Sequence, residues 1–344
     1  MSIYWDRSIL ELLMVPFVTI LVPTKNVAPY IGQVLQSLMD LDYPKDRLEI
    51  VVLDGFSDDG TTDIIKKFPV ILHEGGWNVP EFYNRVMNTV NGEIIAFGDG
   101  DAIVDKTWLK TLIPHFEDQQ VAGAGGLCLT ANPEHLVPRV IGYELKARYE
   151  CMPKNISRIA TMNVAYRKSS LLDIGGFNET LDTGYDTEIG HRLRHAGYFI
   201  HFDPKAVVFH YNRPTIRSYF RQQYIYGRNI ARMYVQNVHI AAGDEITPVW
   251  MNIQPFLYSF IFLSLVAAIL FPVAVIPGLG VLLCLFFVYT FTAIKLSYQE
   301  KDMRALFFIV LCFIRGIAWT LGGASYTILA LKNTIQKQIS SRSD

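Results

Sequence analysis

The sequence predicts an α/β domain on a mostly parallel sheet, followed by an amphipathic helix and C-terminal membrane helices. Three observations carry this reading. From residue 17 to about 212, short β-branched runs alternate with stretches of helical spacing, the pattern of a parallel sheet with helices on both faces. Residues 214–235 interleave arginines and aromatics at helical spacing. Beyond residue 250 come three long apolar stretches. Composition agrees: 51% of the 344 residues are hydrophobic and only 18% are charged, against about 25% charged in ordinary soluble domains. Disorder is excluded, and the length suits roughly two domains.

The elements follow in order. Residues 18–22 (VTILV) form a buried strand ended by Pro23. Residues 28–40 place Ile31, Val34, Leu35 and Leu38 on one helical face. A second buried strand covers 48–53, and a helix at 61–68 turns Ile64 and Ile65 inward. A third strand takes 70–72 and a third helix 80–90. The fourth strand, 93–97, ends directly at Gly98-Asp99-Gly100-Asp101. Ligands of such sheets sit beyond the carboxyl ends of the strands, so Asp54 and the Asp99/Asp101 pair share one edge.

Wound as a helix, 214–235 puts Ile216, Tyr219, Phe220, Tyr224, Ile230 and Tyr234 on one face and Arg217, Arg221, Arg228 and Arg232 on the next. A basic, aromatic amphipathic helix ahead of membrane spans suits the interface plane. The apolar stretches, about 256–276, 279–294 and 305–331, each approach the 20 or so residues that cross a bilayer. A hairpin at 272–277 separates the first two. The loop at 295–304 carries Lys295, Lys301 and Arg304, which makes it cytoplasmic by the positive-inside rule, and the N-terminal domain with it. The tail, with Lys332, Lys337 and Arg342, then faces outward. The domains expected are 1–212, 213–250 and 251–344.

Other features bound the function. The N-terminus is not a secretory signal, since Glu11 and Pro16 interrupt its apolar stretch. The net charge of -1 argues against nucleic acid as partner. The four cysteines, Cys128, Cys151, Cys284 and Cys312, form no CxxC pair and read as buried free thiols. Three helices without an internal repeat argue against a transporter, and Pro23-Thr24-Lys25-Asn26-Val27 is not the Gly-rich loop of a nucleotidyltransferase.

The chemistry-bearing residues are mainly acidic. Two carboxylates one residue apart, as in Asp99-Gly100-Asp101, can aim at one hard cation carrying phosphate oxygens, though acidic turns are common. Asp54 opens Asp54-Gly-Phe-Ser-Asp-Asp-Gly-Thr61, where Asp59 and Thr61 suit helix caps. Asp186, ahead of a helix expected at 189–196, reads as a cap, a general base, or both. His191 and His195 are four apart without an HExxH context and read as structural. Arg315 falls near the middle of the third apolar stretch. It pairs with a carboxylate or carbonyls, binds the phosphates of a lipid-linked acceptor, or snorkels to an interface.

Together these segments resemble the family 2 glycosyltransferases of GT-A fold, over residues 18–232. VTILVPTKN resembles the first strand and loop of that family, LDGFSDDGT its nucleotide-binding acidic loop, and FGDGD its metal-binding DxD. Asn163-Val-Ala-Tyr-Arg167 with Gly175-Gly-Phe177 resembles the acceptor-side strand and turn. YDTEIGHRL resembles the segment of the catalytic aspartate. The resemblance implies that Pro23, Asp54 and Asp99 bind the nucleotide, that Asp101, Asp99 and His210 hold Mg²⁺ or Mn²⁺, and that Asp186 is the catalytic base. It implies acceptor binding by Asn163, Gln222, Gln223 and Arg228, and Arg315 joins them on the lipid reading above. The chain departs from the family pattern at Gly55, where a second acid is usual, and at Tyr185, where a glutamate is. It also lacks the Arg-Trp pair of the Gln-x-x-Arg-Trp motif carried by membrane polysaccharide synthases, which argues against polymerisation.

The function expected is an inverting transfer of one sugar to a hydroxyl of a lipid-linked saccharide at the cytoplasmic membrane face. The partners are a nucleotide sugar donor, GDP-mannose ahead of UDP-glucose, a lipid-linked acceptor and membrane lipids. A polyprenyl-phosphate sugar synthase, a processive polysaccharide synthase and an inactive membrane scaffold are the alternatives.

Overall fold

A computed structural model of the chain describes residues 15–76, 78–181, 183–236 and 242–340. The N-terminal stretch, on which the absence of a signal was expected, and Arg342 of the tail lie outside them. The chain divides into two compact units, the first Met1–Ala131 with Arg148–Tyr211, the second Asn132–Ala147 with Asn212–Asp344.

In chain order the first unit begins β1 (Val18–Thr24), α1 (Ala28–Met39), β2 (Leu48–Asp54), α2 (Thr61–Ile65), β3 (Ile71–Glu74), α3 (Val79–Met87), β4 (Ile94–Phe97), β5 (Ala102–Val104), α4 (Trp108–Leu112) and β6 (Val121–Thr130). Helix α5 (Leu136–Tyr149) follows, most of it in the second unit. The first unit then closes with β7 (Asn155–Ile156), β8 (Val164–Arg167), α6 (Lys168–Asp173), α7 (Tyr185–His195) and β9 (Phe199–His210). One sheet runs β3-β2-β1-β4-β8-β6-β9-β5, with β7 on β9.

The expected parallel order holds through β3-β2-β1-β4. It fails beyond: β8 is antiparallel to both β4 and β6, and β5 and β7 are antiparallel to β9, so the sheet is mixed. Parallel pairing needs a crossover of a dozen or more residues, usually a helix. No helix separates β4 from β5, where the chain goes straight into a turn, and beyond it only β6 and β9 pair parallel. Strand β1 is buried throughout, as its apolar run requires. In contrast β3, the third strand expected, is an edge strand with Ile71 exposed. The stripe Ile31, Val34, Leu35 and Leu38 of α1 is buried against the sheet as expected.

The start of α1 is capped from a distance. The Ala28 amide donates to Asp59 Oδ2 at 3.0 Å and the Val27 amide to Thr61 Oγ1 at 2.9 Å. Asp59 Oδ1 also accepts from the Thr61 amide and hydroxyl. Slight burial raises the Asp59 carboxyl, but the bonds from Thr61 and Ala28 outweigh it and hold it below its ordinary 3.8. A carboxylate depressed in the folded state contributes stability that is complete above its unfolded value and lost as pH falls through the folded one. Denaturant unfolding between pH 6 and 3 is therefore expected to lose stability below about pH 4. Asp59→Asn is expected to be less stable at pH 6 and to show a flatter acid limb.

The second unit holds α8 (Ile216–Gln236), α9 (Val249–Asn252), α10 (Gln254–Ala267), α11 (Val275–Glu300) and α12 (Phe308–Ser340). Three helical segments are long and apolar enough to cross a membrane: Val249–Ala267, Pro272–Glu300 and Met303–Lys332. The three expected stretches are thus present with shifted bounds. Lys295 lies inside α11 rather than in a loop. The turn after it is tied down by charge. Asp302 accepts from Tyr143 at 2.7 Å, Arg139 at 3.3 Å and the Arg304 side chain at 2.9 Å, and Lys146 meets Glu300 at 3.0 Å. All four cysteines are free thiols, but only Cys128 and Cys312 are buried; Cys151 and Cys284 are exposed.

The buried stripe of α8 is not the one expected. Tyr219, Gln223, Gly227 and Met233 are buried, while Ile216 is exposed together with Arg217, Arg221, Ile225, Tyr226 and Arg228. A Cβ on Gly227 would collide with the Trp319 backbone, and one on Gly322 with the Tyr224 carbonyl. Small residues let helix backbones approach this closely, and a count of apolar side chains does not register them. Trp319 Nε1 donates to Gln223 Oε1 at 2.9 Å, so that glutamine amide is engaged between helices.

Arg315 is settled by its partner. It is buried, and its guanidinium meets Glu144 of α5 at 2.6 Å. The ion pair supplies the carboxylate partner of the first of the three expected readings. Removing one partner of a buried pair costs about 3–5 kcal/mol. Thermal unfolding in detergent is expected to show Arg315→Leu strongly destabilised and the Arg315→Leu/Glu144→Leu pair largely recovered. Normal unfolding of the single variant with an altered acceptor requirement would restore the lipid reading.

Candidate active site

The turn between β4 and β5 carries Asp99 and Asp101. It is strapped to β1 on one side, the Gly98 amide donating to Leu21 O at 3.1 Å and the Gly100 amide to Pro23 O at 3.3 Å. Gly100 must be small here, since a Cβ would lie 2.9 Å from Thr24 Cγ2 and 3.0 Å from Val27 Cγ2. On the other side β5 pairs antiparallel with the end of β9, setting Ala102 opposite His210, and the Tyr211 amide donates to Asp101 O at 2.9 Å. Ligand atoms of Asp99, Asp101 and His210 consequently lie within 4.8 Å of one another. His210 Nε2 is 3.3 Å from Asp101 Oδ1.

Two carboxylates and one imidazole suit a divalent cation. Mg²⁺ prefers oxygen donors throughout, whereas imidazole is a more natural ligand for transition metals, so the set fits Mn²⁺ at least as well. Cys128 is near the turn, yet burial, reinforced by the negative charges of Asp99 and Asp101, pushes its thiol up to about 12. It stays a neutral thiol at pH 7 and supplies no thiolate ligand.

Asp186 sits in the first turn of α7, four residues earlier than the helix was expected to start. The N-cap is Gly184, at φ 77, not Asp186. Asp186 Oδ2 meets Arg158 at 3.2 Å and Oδ1 accepts from the Thr187 amide at 2.9 Å. The neighbouring acid, Glu188, is buried and committed to Arg192, which also donates to the carbonyls of Ile174 and Gly176. Of the two acids at the start of this helix, Asp186 is the more accessible.

One aromatic cluster carries both acidic elements. Tyr83 packs 4.8 Å from Phe97, two residues before Asp99, and 6.2 Å from Tyr185, the residue before Asp186. Phe177 closes the group, 5.4 Å from Phe97 and 6.1 Å from Tyr185. Burial, with Tyr185 and Asp99 adding, raises the Tyr83 phenol well above its ordinary value. Tyr185 therefore ties the start of α7 to the strand that ends at the acidic turn.

Two of the expected site residues are engaged within the fold. Asp54 is fully buried, and its carboxylate accepts from Thr24 Oγ1 at 2.9 Å, Ser57 Oγ at 2.6 Å and the Ser57 amide at 2.8 Å. It braces the loop after β2. Asn163 is buried as well; it accepts from Trp108 Nε1 at 2.8 Å and donates to the carbonyls of Leu127 and Ala206. Its amide ties Trp108 to the carbonyls of Leu127 and Ala206. Pro23 is buried and contributes its carbonyl to the Gly100 strap. Gln222, Gln223, Arg228 and Arg315 belong to the second unit. His191 and His195 lie against each other along α7, with ring centroids 4.4 Å apart and the planes tilted by 57°. Arg158 was missed by sequence reasoning; nothing in Ile156-Ser157-Arg158 marks it, since its partner lies 28 residues further on.

Residues 19–175 match the model of the glycosyl transferase family 2. The probable glycosyltransferase YdaM of Bacillus subtilis is 29% identical over 238 residues, 64% of this chain and 56% of that protein. The chain thus spans little more than half the length of that relative. A Methanococcus voltae enzyme, described as a dolichyl N-acetyl-alpha-D-glucosaminyl phosphate 3-beta-D-2,3-diacetamido-2,3-dideoxy-beta-D-glucuronosyltransferase, is 25% identical over 73% of this chain and 81% of its own. Among solved structures, the mannosyltransferase PcManGT of Pyrobaculum calidifontis, in complex with GDP-Man and Mn²⁺, superposes with a TM-score of 0.54 at 20% identity, covering 88% of this chain and 87% of that one. The family match falls on the strands that build the acidic turn and the fold match extends over nearly the whole chain, so the chain is similar to the family 2 glycosyltransferases over residues 19–175 and carries a GT-A-like sheet domain.

Proposed function

We propose that this glycosyltransferase moves one sugar from a nucleotide-diphospho-sugar, GDP-mannose first and UDP-glucose second, to a hydroxyl of a lipid-linked saccharide at the cytoplasmic membrane face. The observation that carries the reading is the convergence of Asp99, Asp101 and His210 at the end of β4. These three residues would hold Mn²⁺ or Mg²⁺. A divalent cation there supplies neutralisation of the charge that develops on the leaving diphosphate.

The remaining chemistry falls to the chain's own side chains. Asp186 takes the proton of the acceptor hydroxyl, a task for one carboxylate within hydrogen-bond reach. Arg158 holds that carboxylate in one orientation. The Tyr83, Phe97, Phe177 and Tyr185 cluster keeps the base and the acidic turn on one rigid support, and such positioning is a large part of the rate. One base and a direct displacement give inversion, so an α-linked donor yields a β-linked product.

A lipid phosphate acceptor is already an anion and needs no base, so Asp186 favours a hydroxyl. The apolar helices favour one that is lipid-borne. Lys295, Lys301 and Arg304 near the turn between the second and third helices favour a cytoplasmic site. Supplying detergent-purified protein with Mn²⁺ and donor, together with either a bare polyprenyl phosphate or a polyprenyl-linked saccharide, tests the reading. Transfer to the saccharide alone, with β configuration at the new linkage, is expected. Transfer to the bare phosphate would instead support a polyprenyl-phosphate sugar synthase.

A further inference from the structure

Phe56 holds a backbone conformation that its side chain disfavours. It is at φ 58 and 66% exposed, in the loop after β2. The left-handed region is costly for a residue with a bulky side chain, and such strain persists only where the surroundings enforce it. Here they do. The Gly55 amide donates to Thr24 O and the Gly75 amide to Asp54 O, both at 2.9 Å, so the sheet continues to Gly55 and Phe56 is the first residue clear of its edge. Asp54 grips Ser57 from below. Across the gap, Lys25 Nζ donates to Gly55 O at 3.1 Å, the Asn26 amide to Ser57 Oγ at 2.8 Å and the Asp58 amide to Asn26 Oδ1 at 3.0 Å. Asn26 is itself at φ 55. Two cross-bonded loops thus hold one large aromatic ring out into solvent at the carboxyl edge of the sheet, beside the strand that straps the acidic turn.

The Asp54 carboxylate is taken up by Thr24 and Ser57, and beside it the loop presents the exposed ring face of Phe56. We propose that Phe56 is the stacking platform for the nucleobase of the donor and that the site prefers a purine nucleoside diphosphate. The proposal deepens the nucleotide-sugar reading and rests on it. Stacking is tolerant of base identity because every base has a π face, and a two-ring purine covers more of the platform than a pyrimidine.

The test is calorimetric titration of the full chain in detergent with GDP and UDP in the presence of Mn²⁺, comparing wild type, Phe56→Gly and Phe56→Trp. Phe56→Gly is expected to weaken GDP binding about 5- to 150-fold, from the usual worth of one stacked base, and UDP less. Phe56→Trp should restore GDP affinity. The glycine variant should melt no lower than wild type, because glycine adopts this conformation freely; a ring that served only packing would show the reverse. Wild-type GDP affinity in Phe56→Gly overturns the platform. Equal losses for GDP and UDP overturn the purine preference. A wild-type protein that binds neither nucleotide overturns the donor reading itself and the platform with it.

Discussion

Asp101→Ala is expected to bind nucleotide sugar no better with Mn²⁺ than without it and to lose at least about 10²-fold in transfer rate, since metal stabilisation of a leaving group is worth several kcal/mol. The fold should survive. The Asp101 carbonyl, which accepts from the Tyr211 amide, is kept by alanine, while the contact of its carboxylate with His210 is lost. Metal-dependent donor affinity, read by calorimetry with and without Mn²⁺ alongside a melting curve, separates a lost ligand from a lost fold. Full metal-dependent binding by the variant would remove Asp101 from the cation site.

Asp186→Asn is expected to keep donor affinity and lose about 10²–10⁴ in transfer, the usual contribution of general-base catalysis. The amide oxygen can still accept from the Thr187 amide, so the first turn of α7 is preserved, but it cannot take a proton. Arg158 loses its charged partner but can still donate to the amide oxygen, and because the pair is largely buried a melting curve is recorded alongside. Single-turnover transfer measured at saturating donor reads the chemical step alone. A rate near that of wild type would reduce Asp186 to a residue that positions the helix start.

The half of the fold that positions the acidic turn was legible because local pattern and tertiary structure agree there. The runs 18–22 and 48–53 are buried on both faces, so their hydrophobicity is continuous and easily read. The strands after β4 were not legible as a topology: Ala102-Ile103-Val104 and the long Gly-rich β6 pair through contacts distant in sequence, and nothing local records an antiparallel register. In the site, the DxD and His210 were recoverable from residue type and place. The bonds that Asp54 and Asn163 make within the fold were not, because an acid at a strand end reads the same whatever its oxygens accept from, here Thr24 and Ser57. Arg315 illustrates the same limit. Its charge in an apolar stretch announced a partner, but Glu144 lies 171 residues earlier and only the packing of α5 brings it near.

The account stands most directly on the release of nucleoside diphosphate by the detergent-purified chain from a panel of nucleotide sugars, with Mn²⁺, Mg²⁺ or chelator, and with or without a polyprenyl-linked saccharide. The expected result is release from one donor, GDP-mannose first, that requires the divalent cation and rises when the lipid-linked saccharide is added. Release that is indifferent to chelator, or none from any donor with that acceptor class present, would contradict it.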